Sequence, residues 1–305
     1  KESSIMLRVS SFLKVSVKKW GLIYALLSAL LFGFSFPSAV SLKGFFFLAW
    51  ISLIPLFLIF IYCRYSWALF YGVTFGTIQS LIINYWHGTY DFLSLHFTTI
   101  IHLFYFTAFM IPLVFMAKKS KKWGFIVVPV VWTVFDFLRS TGILGYPWGI
   151  IGTTQYQCIP LIQTAAVSGI WGVSFIVILF NSSIAWSLAG LNENWNFFNN
   201  KRNEQTGFKG IKGLFKQYFP VFIFLCVFLL SIAGGSIHVI ISIIKMNNNE
   251  YEQVKLVLIQ QNTDPRKHDY RLSLDNLRTL TDTVLSKLDG KPDMVVWSEG
   301  AFTPD

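Results

Sequence analysis

The sequence predicts a polytopic α-helical membrane domain of about seven spans, followed by the opening βαβ unit of an α/β domain. Three observations carry that expectation. Hydrophobic residues fill 54% of the 305 positions and charged residues only 13%, about half the roughly 25% of a soluble globular chain. Mean hydropathy is +0.54, and so few charges cannot cover the surface of a water-soluble domain of this size. Finally, uncharged apolar stretches recur through residues 1–248, and the composition turns mixed and polar in 249–305. These features exclude a soluble enzyme, a disordered chain and a disulfide-stapled secreted domain. Cys63, Cys158 and Cys226 lie far apart and suggest neither a disulfide framework nor a metal site. Lys1 stands where a Met would open a chain, and Asp305 follows closely on an apolar run; a truncated piece of a longer protein is expected.

A helix needs about 20 mostly apolar residues to cross the hydrocarbon layer. Seven stretches qualify: Trp20 to Leu42, Gly44 to Cys63, Tyr65 to Tyr90, Phe92 to Ala117, Trp123 to Leu138 (interrupted by Asp136), Val167 to Gly190, and Gln217 to Ile244. They must be helices, because an open strand edge is not satisfied in lipid. Ser140 to Asn192 carries no charge, but Gly142, Gly145, Pro147, Gly152 and Pro160 break its first half.

Lys and Arg set the orientation. Fifteen of the 25 basic residues fall in the tail before the first span and in the connections on that same side, including Lys118, Lys119, Lys121 and Lys122. Lys43 and Arg139 alone fall in connections on the other side. The expected N-terminus is cytoplasmic, and seven spans put residues 249–305 outside. The net charge of +10 thus reads as membrane orientation, and no nucleic-acid partner is expected. A cleaved signal peptide ending near Ala39-Val40-Ser41 is the competing reading of the first span, although that span is longer and richer in Phe than a signal core.

Polar groups within or beside the membrane are candidate sites, because they are costly there. Asn84-Tyr85-Trp86-His87, Asp91, His96 and His102 cluster at the outer end of the third span and after it. Their spacing does not suit a metal, and interfacial anchoring is the expectation. Asp136 and Arg139, spaced i, i+3, can pair on one helix face, as a structural ion pair or as part of a lipid-headgroup site. The segment from Ser140 through Tyr146-Pro147-Trp148-Gly149 is uncharged and glycine-rich, so it should lie in or re-enter the interface. Arg139, Tyr146 and Trp148 are the candidate substrate-binding residues. Asn181-Ser182-Ser183 matches a glycosylation pattern but falls inside a span.

In residues 249–305, Val254 to Ile259 reads as a buried strand. Leu272, Leu277, Leu280, Val284 and Leu288 have helical spacing within 269–288, and Met294 to Trp297 reads as a second strand. Strand, helix, strand implies a parallel sheet. Glu299 follows the second strand, at the edge where catalytic groups of open α/β sheets gather. A partly desolvated carboxylate there suits a general base; a capping or surface Glu is the plainer alternative.

Val295-Val296-Trp297-Ser298-Glu299-Gly300-Ala301 resembles the first catalytic motif of the nitrilase, or carbon–nitrogen hydrolase, superfamily, and Leu258 to Asn262 resembles its opening strand and turn. The order of motifs in the membrane half, Phe34-Ser35-Phe36-Pro37, Asn84-Tyr85-Trp86, Phe135 to Arg139 and Gly145 to Trp148, resembles the apolipoprotein N-acyltransferases, a membrane-embedded branch of that superfamily. The resemblance implies a Glu–Lys–Cys triad on a nitrilase-like sandwich, acting outside the bacterial cytoplasmic membrane without a cofactor. It implies ping-pong acyl transfer from a membrane phospholipid to a diacylated apolipoprotein by a monomeric enzyme. Glu299 matches the family's Glu; its Lys and Cys would lie beyond Asp305. Ser298 replaces the Pro common before that Glu, and Ile244 to Glu252 has no Trp where the family often carries one. Competing readings are a membrane-anchored amidase sharing Glu299, and a transporter, for which the sequence shows neither an internal repeat nor mid-span charges.

Overall fold

In the computed structural model, residues 2–142, 145–189, 208–248, 254–260 and 270–298 are described. The chain divides into two compact units, Lys1–Val239 and Ile240–Asp305.

The first unit is helical. Helix α1 spans Glu2–Ser35 and bends at Trp20, whose φ and ψ of −115° and 26° leave the helical region. The basic tail expected before the first span is therefore itself helical. A 3-10 turn, Phe46–Leu48, leads into α2 (Ala49–Ser52) and α3 (Ile54–Tyr62). Helices α4 (Tyr65–Ile83), α5 (His87–Tyr90), α6 (Phe92–Lys119) and α7 (Gly124–Arg139) follow. The uncharged connection holds a 3-10 turn, Ile151–Gln155, and α8 (Ile159–Ile162), before α9 (Ala165–Leu188) and α10 (Phe208–Asn247).

Five helices among the described residues are long and apolar enough to cross a membrane: Val9–Ser35 within α1, α4, α6, α9, and Gln217–Asn247 within α10. The other two expected spans are shorter. Phe46–Tyr62 is broken at Leu53, and the 16 residues of α7 give about 24 Å at 1.5 Å per residue, less than a hydrocarbon core of about 30 Å. The expected third span also ends early, at Ile83, because Asn84 caps α4 and the chain turns into α5.

The core of this unit is aromatic. Trp132 of α7 packs edge-on against Phe109, Phe75 and Phe57, and Phe109 stacks on Phe135 at 3.9 Å. Small residues let backbones approach: a Cβ on Gly76 would fall 2.5 Å from the Phe106 ring. The break between α2 and α3 would strand backbone groups in an apolar interior, where each costs free energy. Asn181, fully buried on α9, fills it. Its Oδ1 accepts from the Leu53 amide at 2.9 Å and its Nδ2 donates to the Ala49 carbonyl at 3.0 Å. The glycosylation pattern at Asn181 is thus a packing device.

In the second unit, β1 (Leu256–Ile259) pairs in parallel with β2 (Met294–Trp297), and α11 (Tyr270–Ser286) connects them. Leu256 faces Met294 and Ile259 faces Trp297 in register. Val257, Ile259 and Leu277 form the buried cluster. Leu256 and Leu258 point to the other face and are exposed, so β1 is covered on one face rather than both. The Asp293 carboxylate accepts from the Lys255 amide at 2.7 Å, and Trp297 Nε1 donates to Thr281 Oγ1 at 3.1 Å. These contacts fix β2 in register and orient its end against α11.

Candidate functional site

The described candidate residues gather where α4, α6 and α7 meet the connection after α7. Arg139 ends α7 with its side chain buried. Its Nε donates to Asp136 Oδ1 at 2.8 Å. Its Nη1 donates to the carbonyls of Tyr146 and Trp148, at 3.1 and 2.6 Å. The Tyr146 amide returns a bond to the Arg139 carbonyl at 2.8 Å. The guanidinium is therefore a staple: one edge pairs with one oxygen of a buried carboxylate and the other gathers the loop backbone. A planar fork with several fixed donors does this, and an ammonium does not. Gly149, at φ 76°, turns the chain back directly beside Arg139, in the left-handed region that favours glycine.

Tyr146 enters a hydrogen-bonded chain. Its hydroxyl donates to Asn84 Oδ1 at 2.5 Å, and Asn84 Nδ2 donates to Ser80 Oγ at 3.0 Å. The Tyr146 proton being thus committed, His87 Nε2, 3.1 Å away, must carry a hydrogen and donate to the Tyr146 oxygen. A neutral His87 then accepts at Nδ1 from Ser94 Oγ, at 3.2 Å. Burial lowers the His87 pKa from its ordinary value, which favours this neutral form. Burial pushes the Tyr146 hydroxyl up to about 12, although the Arg139 charge opposes the shift. His102 meets the Tyr146 ring edge-on at 4.8 Å. Trp86 stacks on His87 at 3.9 Å and approaches Trp148 at 5.4 Å.

A hollow bounded by Gln79, Asn84, His102, Arg139 and Trp148 has room for about one water molecule. It is too small for a headgroup, whereas Trp148 is exposed on the loop's outer surface. The structure thus brings Arg139, Tyr146 and Trp148 together and gives them different surroundings. Asn84 and His102 are buried and build the inner wall rather than anchoring in an interface. In the sequence Asn84 and His87 stood only as polar groups at the end of the third expected span; their shared partner Tyr146 is 62 positions from Asn84, and no local spacing linked it to them. His96 stays exposed and, among the described residues, bonds within α6 to the Phe92 carbonyl. The candidate catalytic residue Glu299 lies outside the described residues; β2 ends two positions before it.

Residues 28–183, which contain this whole site, match the family model for the apolipoprotein N-acyltransferase N-terminal domain. The chain belongs to this family. It is 28% identical over 289 residues to apolipoprotein N-acyltransferase 1 of Treponema denticola, covering 93% of this chain and 49% of that protein. It is 26% identical to the apolipoprotein N-acyltransferase of Borreliella burgdorferi, covering 92% and 50%. The corresponding protein of Geobacter metallireducens is 28% identical over 172 residues, covering 52% of this chain and 31% of its own length. The chain spans about half the length of the first two of these relatives.

Proposed function

We propose that the protein containing this chain transfers an acyl group from a membrane phospholipid to the α-amine of the diacylglyceryl-cysteine that opens an apolipoprotein. The family match over residues 28–183 carries this reading, and the Treponema and Borreliella relatives extend it into the α/β unit. Glu299 would act as general base. It takes the proton of a cysteine thiol, which attacks the phospholipid ester and forms a thioester, and returns that proton to the lysophospholipid, which leaves as an alcohol. It then takes a proton from the acceptor amine, which attacks the thioester, forms the amide and releases the thiol. A Lys would stabilise each tetrahedral oxyanion. In this reading that Lys and Cys would come from outside residues 1–305.

In this reading residues 1–248 are the membrane domain, with Phe46–Tyr62 and α7 as short spans that bring the count to seven. Residues 249–305 begin a nitrilase-like domain outside the cytoplasmic membrane, and the enzyme works as a monomer without a cofactor. Trp148 gives the exposed loop surface over which the headgroup lies, Tyr146 ties that loop to the end of α4, and Arg139 holds it in shape. The test is acyl transfer by the purified full-length protein. A lipid-modified N-terminal peptide of a lipoprotein should gain the mass of one acyl chain, and only when phospholipid is supplied. Turnover of small amides with no need for phospholipid would contradict the reading.

A further inference from the structure

Gln79 of α4, His102 of α6 and Arg139 of α7 meet around the small hollow behind the stapled loop, and all three are buried. The His102 ring is fixed in direction. Its Nδ1 lies 3.0 Å from the Thr98 carbonyl, which can only accept, so Nδ1 carries a hydrogen. The ring also meets Tyr146 edge-on at 4.8 Å. In the neutral ring Nε2 then holds a lone pair and can only accept. Arg139 offers the converse. Its Nε and Nη1 are committed to Asp136, Tyr146 and Trp148, and among the described residues no group accepts from its Nη2. Gln79 donates from Nε2 to the Gly76 carbonyl at 3.0 Å, which leaves its amide oxygen to accept.

We propose that this hollow binds one water molecule, which accepts from Arg139 Nη2 and donates to His102 Nε2 and Gln79 Oε1, and that His102 is thereby a positioning residue for the loop at Tyr146 and Trp148. A buried donor or acceptor left unpaired costs free energy. One water with a donor and two acceptors around it satisfies all three, and about three bonds is what an internal water makes. The space suits it, with room for about one water molecule. The water joins three helices. Because the guanidinium is rigid and planar, holding its Nη2 also sets the direction of Nη1, which carries the two loop carbonyls. His102 therefore acts on the loop through the water and Arg139. Its bearing on the reaction rests on the function proposed above, in which the loop lies against the phospholipid headgroup; the water and the His102 tautomer stand apart from that reading.

The full-length protein carrying isotope-labelled histidine is studied by nitrogen NMR in detergent at neutral pH, with His102→Gln assigning the resonances. His102 should be protonated at Nδ1 and unprotonated at Nε2. A proton on Nε2 overturns the proposal. So does a structure that resolves internal waters and shows none within hydrogen-bonding distance of both Arg139 Nη2 and His102 Nε2. In the acyl-transfer assay, His102→Leu should raise KM for phospholipid about fivefold, as the loss of one hydrogen bond does, with a smaller change in kcat. His102→Gln, whose amide oxygen reaches the place of Nε2, should restore KM. An unchanged KM in the leucine variant, or an equal loss in both variants, overturns the positioning role. A wild-type protein without acyl transfer would sink the function proposed above, and the tautomer and the water would still decide this inference.

Discussion

Asp136 and Arg139 are buried side chains that are stable only together. Removing one partner of a buried ion pair strands the other charge and costs about 3–5 kcal/mol, whereas replacing both with apolar groups is often nearly neutral. Arg139→Met should therefore lower the thermal stability of the protein by roughly that amount. Asp136→Leu/Arg139→Met should recover much of the loss and yet leave the loop at Tyr146 and Trp148 without its staple. Calorimetry in detergent checks both; a harmless single variant would mean that the guanidinium is not holding the carboxylate. Tyr146 supplies a second residue-scale test. Its pKa is raised from the usual 10.0 to about 12, so the stability this adds is complete below pH 10 and is lost as pH rises through 12. In an ultraviolet titration, the difference between the wild type and Tyr146→Phe should show a tyrosine ionising near 12. A difference curve centred at 10 would mean that its hydroxyl is not buried.

At the scale of elements, much was legible because apolar runs and period-3.6 spacing are local signals. Phe92 to Ala117 was expected and α6 spans Phe92–Lys119; Met294 to Trp297 was expected and β2 spans those residues. The helix ends were less legible. The early stop of α4 at Ile83 depends on Asn84 turning the chain toward Tyr146, a contact made across 62 positions. The break at Leu53 is tolerated because Asn181, 128 positions away, satisfies its amide. Neither partner could be read from its own neighbourhood, and Asn181 resembled a glycosylation site for the same reason. Asn181→Ala should leave the Leu53 amide and Ala49 carbonyl buried without that partner, at a cost of about 1–3 kcal/mol. Thermal unfolding measures it, and an unshifted midpoint would show that the break finds other partners. The staple was half legible: Asp136 and Arg139 are three apart on one helix, while the bonds from Arg139 to the loop carbonyls carry no sequence pattern.

At the scale of the molecule, the family match and the arrangement of long apolar helices belong together: a membrane-embedded bundle precedes a unit that opens with a parallel βαβ. The distribution of Lys and Arg predicts that a single cysteine placed at Asn249 reacts with an impermeant thiol reagent in intact cells, and labelling only after lysis would contradict seven spans. In the proposed function Glu299 is the general base, and the most direct measurement is acyl transfer by the full-length protein carrying Glu299→Gln. The variant should fold, bind phospholipid and lose acyl transfer by about a hundredfold or more. Near-normal turnover would contradict it, because no carboxylate at that position would then be needed to move the proton.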